Sequence, residues 1–257
     1  MTPTFQFFED VCNELALDEE VILPDDNFLS DAALQDLQEE HGELDPELAV
    51  PRALTALEAH FSDRQAVLPF EYDLDTRTYT VRDHEFISFV AQSSRIRGLR
   101  TESRNFEVSS AERLAVRTVG AFHRVGWPRS TYGKKSEFNA YLRTLGFNDI
   151  TAYGSEKDGG LDILWLVPFG AVPHRPIFSF QCKNGSYDLD EAFKSNGKTN
   201  MSLNCHRGLS AVAHTICVIF NDYIEPHILL PKPFDFVPLG ISDLAEARSP
   251  RTTTCIL

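Results

Sequence analysis

Asp158-Gly-Gly-Leu-Asp162-Ile-Leu-Trp-Leu-Val167 and, after a loop carrying Pro168, Gly170, Pro173 and Pro176, Ile177-Phe-Ser-Phe-Gln181-Cys-Lys183 decide how this chain is read. The first stretch is a turn opening into an apolar strand whose second residue is an aspartate. The second is an apolar strand that ends in a glutamine and a lysine two residues apart. Side chains alternate along a strand, so Gln181 and Lys183 share one face with Ile177 and Ser179, while Phe178, Phe180 and Cys182 take the other. If the two strands pair as a hairpin, Asp162 lies across from Gln181 and Lys183. An acid, a neutral oxygen ligand and a cation then occupy one small patch.

A carboxylate between Leu161 and Ile163 is costly to bury unpaired. One reading is a structural Asp162–Lys183 ion pair, which says little about function. The sharper reading is a metal site. Carboxylate, amide oxygen and main-chain carbonyl are hard ligands suited to Mg²⁺ or Mn²⁺, and a lysine beside them can orient or deprotonate a water.

At these residues the chain resembles the PD-(D/E)xK nuclease superfamily, in the Gln-x-Lys form of Mrr-like restriction endonucleases. The family also carries an acid on the helix before the first core strand. Ser136-Glu137-Phe138, with Leu142 and Leu145 at helical spacing and Gly146 as a stop, supplies that acid here as Glu137. The first core strand is expected over 147–153. The resemblance spans residues 130–220 and implies an α/β fold: a restriction-endonuclease-like core with a mixed central sheet flanked by helices. It implies Mg²⁺ (or Mn²⁺) held by Asp162, Gln181, the Cys182 backbone carbonyl and Glu137. Lys183 would activate the water, and Asp158 would orient the turn or join an outer shell. Its activity would be endonucleolytic cleavage of DNA, in a restriction or phage-defence setting. The alternative is a catalytically silent relative that binds nucleic acid or regulates a protein partner.

Charge is uneven. The 257 residues carry a net charge of −14, yet residues 1–50 hold 15 Asp/Glu and no Lys/Arg, and the rest hold 23 against 24. The acidity therefore belongs to one segment, and the candidate nuclease region is near neutral. Three explanations stay open for residues 1–50: a solvated face, a surface for a basic protein partner, or an autoinhibitory flap over the cleft. The expected division is an acidic N-terminal α+β region over 1–105 and a nuclease domain over 106–257.

The first region reads as helices over 4–20, 31–44 (ended by Pro46) and 49–65, with Pro51 in the first turn of the last. A hairpin over 67–81 and a short helix over 85–91 follow. Residues 92–108 read as a linker whose Arg95, Arg97, Arg100 and Arg104 either contact phosphates or are merely solvated. Ser109-Ser-Ala-Glu112 resembles a capping box opening a helix to about residue 125. Lys134 and Lys135 precede the Glu137 helix. These two, with Lys194 and Lys198, are candidate phosphate contacts or exposed lysines. Residues 215–220 read as a buried strand, and the last 25 residues are weakly patterned.

Ala192-Phe-Lys-Ser-Asn-Gly-Lys-Thr199 matches the letters of a phosphate-binding loop but lacks the buried strand before it. His206 and His214 form a metal pair only if the fold joins them. The five cysteines are scattered without a C-x-x-C pair and read as reduced thiols of a cytoplasmic protein. No apolar run is long enough to span a membrane. Nucleases that cut both strands often work as homodimers, but no seam for one is visible.

Overall fold

In the computed structural model, residues 1–18, 31–42, 45–64, 66–117, 121–124, 140, 162–167, 177–188, 190, 214–224 and 237–244 are described. They fall into two compact units that meet in sequence at Ile96 and Arg97.

The first unit is built on aromatic residues at helical spacing. Helix α1 (Pro3–Leu15) buries Phe5, Phe7, Phe8, Val11, Cys12 and Leu15. Phe8 meets Phe61 of α3 (Pro46–Asp63) at 5.4 Å between ring centroids and Phe70 of β1 (Phe70–Asp73) at 5.8 Å. Strand β2 (Thr78–Val81) pairs antiparallel with β1, and helix α4 (His84–Ile96) adds Phe86, 6.2 Å from Phe61. Such ring pairs add to what burial alone contributes. The acidic helix α2 (Asp31–His41) buries Leu37, and its Glu40 Oε2 accepts 2.6 Å bonds from the Thr4 N–H and hydroxyl at the start of α1. One acid of this segment thus caps a helix, where an anion offsets the unpaired N–H groups.

Pro46, expected to close α2, instead opens α3. Asp45 caps it by accepting from the Glu47 N–H at 3.0 Å, and a proline costs nothing at the first helical position. Pro51 consequently lies inside α3, where Thr55 Oγ1 donates to its carbonyl. On the same helix, burial and then the charge of Arg64 lower the pKa of His60 from 6.5 to about 4. Its ring packs 4.8 Å from that of Phe5. Because the folded value is the lower one, the unfolded chain takes up this proton first. The stability from neutral His60 is complete above pH 6.5 and is lost as pH falls toward about 4. Urea unfolding at pH 7 and pH 5 should show a loss that His60→Gln reduces. An equal loss in that variant would rule the histidine out.

The second unit begins sooner than a linker over 92–108 allows. Helix α4 runs to Ile96, Gly98 turns the chain at φ 74°, and helix α5 spans Ser103–Arg117 after a 3₁₀ turn. Ser109 is therefore inside α5 and does not cap it. The chain leaves the helix before 121, and Ala121–Arg124, expected as helix, is strand β3.

Strands β3, β4 (Ile163–Leu166), β5 (Ile177–Lys183), β6 (His214–Phe220) and β7 (Val237–Leu239) form one sheet in that order. β4 runs antiparallel to β3 and β5, while β6 and β7 run parallel to β5. The fold is mixed α/β, with helix packed on a mixed sheet. Strand β7 falls in the tail that carried little pattern. It contains Pro238 and lies at the sheet edge, where a missing N–H is tolerated. Gly240 follows it. A Cβ there would stand 2.6 Å from the Asp222 carbonyl oxygen and 3.0 Å from the Ile224 nitrogen, and both are backbone atoms that give little. Gly240→Ala should therefore cost about 1–3 kcal/mol in urea unfolding; a neutral result would show that the β7 junction shifts freely.

Candidate active site

Antiparallel pairing of β4 and β5 sets Ile163 opposite Phe180 and Leu164 opposite Ser179. The paired register ends there. Asp162 stands just before β4, and its N–H donates to the Phe180 carbonyl at 3.1 Å, one residue off the register of the ladder. Strand alternation carries Lys183 to the face of Gln181, two residues on. On β6, Val218 lies beside Gln181 and Phe220 beside Lys183. Ile216, Val218, Phe220 and Ile224, with Tyr187 against them, form the apolar floor of this face.

Asp162 is fixed by its neighbour strand. Its Oδ2 accepts from the Cys182 N–H at 2.6 Å, a short charge-assisted bond. Gln181 is 8% exposed, and among the described residues its side-chain oxygen has no hydrogen-bond partner. Burying an unsatisfied amide oxygen costs about 1–3 kcal/mol. Such a group calls for a partner, and a cation is one that an amide oxygen can take. A buried oxygen with no donor, one residue from the N–H that holds a carboxylate, fits a hard cation.

The back of β5 differs. Cys182 and Phe180 face α5, and Arg124, opposite Ile163 in the β3–β4 ladder, is on that same side. Arg124 Nη1 donates to Glu107 Oε1 of α5 at 2.7 Å, with the two side chains 17% and 9% exposed. Burial first, and then the charges of Asp162 and Glu107, push the Cys182 thiol well above its usual range, while Ser110 and Arg124 pull it down. The sulfur is thus a neutral thiol.

The described structure therefore brings Asp162, Gln181, Cys182 and Lys183 together. Glu137, Asp158, Lys134, Lys135, Lys194, Lys198 and His206 lie outside the described residues, as do the strand expected over 147–153 and the 192–199 match. Among the described residues no three His, Cys, Asp or Glu side chains gather as a metal cluster. The oxygen set is one carboxylate, one amide and one main-chain carbonyl. Sequence reading passed over Glu107, a buried acid on the helix before the first strand of this sheet. The helix spacing of Phe106, Ser110 and Leu114, all buried beside it, was the available signal. Among the described residues no helix is long and apolar enough to cross a membrane. No family model, curated protein or solved structure matches this chain.

Proposed function

We propose that this chain is a metal-dependent endonuclease that hydrolyses phosphodiester bonds of DNA, on a core of the restriction-endonuclease type. The observation that carries the reading is the buried Gln181 oxygen, without a hydrogen-bond partner among the described residues, one residue from the Cys182 N–H that holds the Asp162 carboxylate, with Lys183 on the face of Gln181. The Asp162 strand and the Gln-x-Lys strand, two elements of the sequence resemblance, are antiparallel neighbours in the mixed sheet, which supports it.

Asp162, Gln181 and the Cys182 carbonyl would hold Mg²⁺ or Mn²⁺, with further oxygens from the DNA and water. When bound there, the ion lowers the pKa of a water and offsets charge on the phosphate in the transition state. Asp162 supplies the negative charge that favours a cation, and its bond to the Cys182 N–H fixes its direction. Gln181 adds an oxygen without adding charge. Lys183 orients the attacking water and lends its positive charge to the phosphate. The apolar floor of Val218 and Phe220 limits water on the inner side, which strengthens each of these interactions.

Supercoiled plasmid DNA incubated with the full chain and Mg²⁺ or Mn²⁺ tests the reading. Nicked and linear products that a chelator suppresses support it. An intact plasmid at every metal concentration, under conditions in which the chain is folded, goes against it.

A further inference from the structure

Gly98, between α4 and α5, is fastened to the end of the Gln-x-Lys strand. Its N–H donates to the Asn184 carbonyl at 2.9 Å, and Asn184 Nδ2 donates back to the Leu99 carbonyl at 3.1 Å. Arg97 Nε donates to the Asn221 carbonyl at 2.5 Å, and Asn221 Nδ2 donates to Asn184 Oδ1 at 2.7 Å. The Asn221 N–H in turn donates to the Lys183 carbonyl at 2.9 Å. Five bonds thus tie residues 97–99 and the ends of β5 and β6 into one assembly, starting at the residue after Lys183.

This clamp sets the place of Arg100 and Arg104. Arg100 follows Gly98 by two residues, so its Cα lies within about 7.6 Å of the Gly98 Cα. Arg104 is one turn along at the start of α5. Both side chains are exposed, and neither is held in an ion pair among the described residues. The acid between them, Glu102, accepts a bond from Asn105 Nδ2. The two exposed cations thus stand on the chain just after its clamp on Asn184, the residue that follows Lys183.

We propose that Arg100 and Arg104 bind the sugar-phosphate backbone of duplex DNA and set its register across the Lys183 end of β5. This rests on the nuclease reading of that site. Phosphate contacts of this kind position a duplex without reading its sequence. Each neutralised phosphate adds about 0.9 to the slope of log affinity against log salt.

The test is fluorescence anisotropy of the full chain with a labelled 30-base-pair DNA duplex of mixed sequence, in Ca²⁺, across a salt series. Arg100→Ala/Arg104→Ala is expected to lower the slope by about 1.8, so the affinity loss at 50 mM salt exceeds that at 200 mM by about tenfold. Arg100→Lys/Arg104→Lys should keep the slope, because the charge remains. Arg77→Ala/Arg82→Ala, which removes the same charge from the β1–β2 hairpin, should leave it unchanged. An unaltered slope in the first variant overturns the proposal, as does an equal fall in the hairpin variant. A wild type that binds an RNA duplex of equal length more tightly overturns the assignment to DNA. Mn²⁺ titration of the same proteins separates the two claims. Metal binding with arginine-independent DNA binding sinks only the surface. Arginine-dependent DNA binding without metal binding sinks only the nuclease site.

Discussion

Lys183→Ala is expected to slow Mg²⁺-dependent plasmid cleavage by about 10²–10⁴-fold, the range for losing a positioned proton-transfer group. Asp162→Asn should cost at least as much, because it removes the only carboxylate among the described ligand atoms of the site. Neither change should unfold the chain. The asparagine oxygen can still accept from the Cys182 N–H that Asp162 now holds at 2.6 Å. Lys183 is only partly buried, and its backbone stays in the β5–β6 ladder. Initial rates should be read beside urea unfolding curves. A Lys183→Ala enzyme that cuts at the wild-type rate would remove the lysine from the mechanism. Equal losses of rate and of stability would mean that the pair is structural, as in any ordinary α/β domain.

Glu107→Ala is expected to destabilise the second unit by about 3–5 kcal/mol. Arg124 donates to Glu107 at 2.7 Å, and with the carboxylate gone a largely buried guanidinium loses its counter-charge. Replacing both members, Glu107→Leu with Arg124→Met, should therefore recover much of the loss, since no charge is then left without a partner. Urea unfolding of the two single variants and the double variant measures this as a cycle. A Glu107→Ala cost under about 1 kcal/mol would put the pair with exposed ion pairs and count against its burial. The same variant also lifts one of the charges that hold the Cys182 thiol protonated.

The hairpin at the centre of the site was legible because it depends on short-range rules. Alternation places Gln181 and Lys183 together, and the two apolar runs pair as antiparallel neighbours. The aromatic stripe of α1 was legible for the same reason. Other elements were not. Ala121-Phe-His-Arg124 is too short for its period to tell strand from helix end, and it becomes a strand by pairing with residues 163–166. Pro46 read as a stop because a proline ends one helix as readily as it opens the next, and Asp45 decides between them. Val237–Leu239 gave no strand signal because Pro238 breaks the usual composition, which an edge position permits. The features that sharpen the site are long-range. The unpartnered Gln181 oxygen exists only once β4 and β6 flank β5. The clamp of Gly98 on Asn184 joins residues 86 positions apart.

Whether Asp162 and Gln181 hold a metal decides the function of this site. Calorimetric titration of Mn²⁺ into the full chain, beside Asp162→Asn and Gln181→Leu, asks this directly. A saturable site in the wild type, lost in Asp162→Asn and weakened in Gln181→Leu, is the predicted result. Folded wild-type protein that binds no Mn²⁺, or binds it equally well in all three chains, would contradict the account.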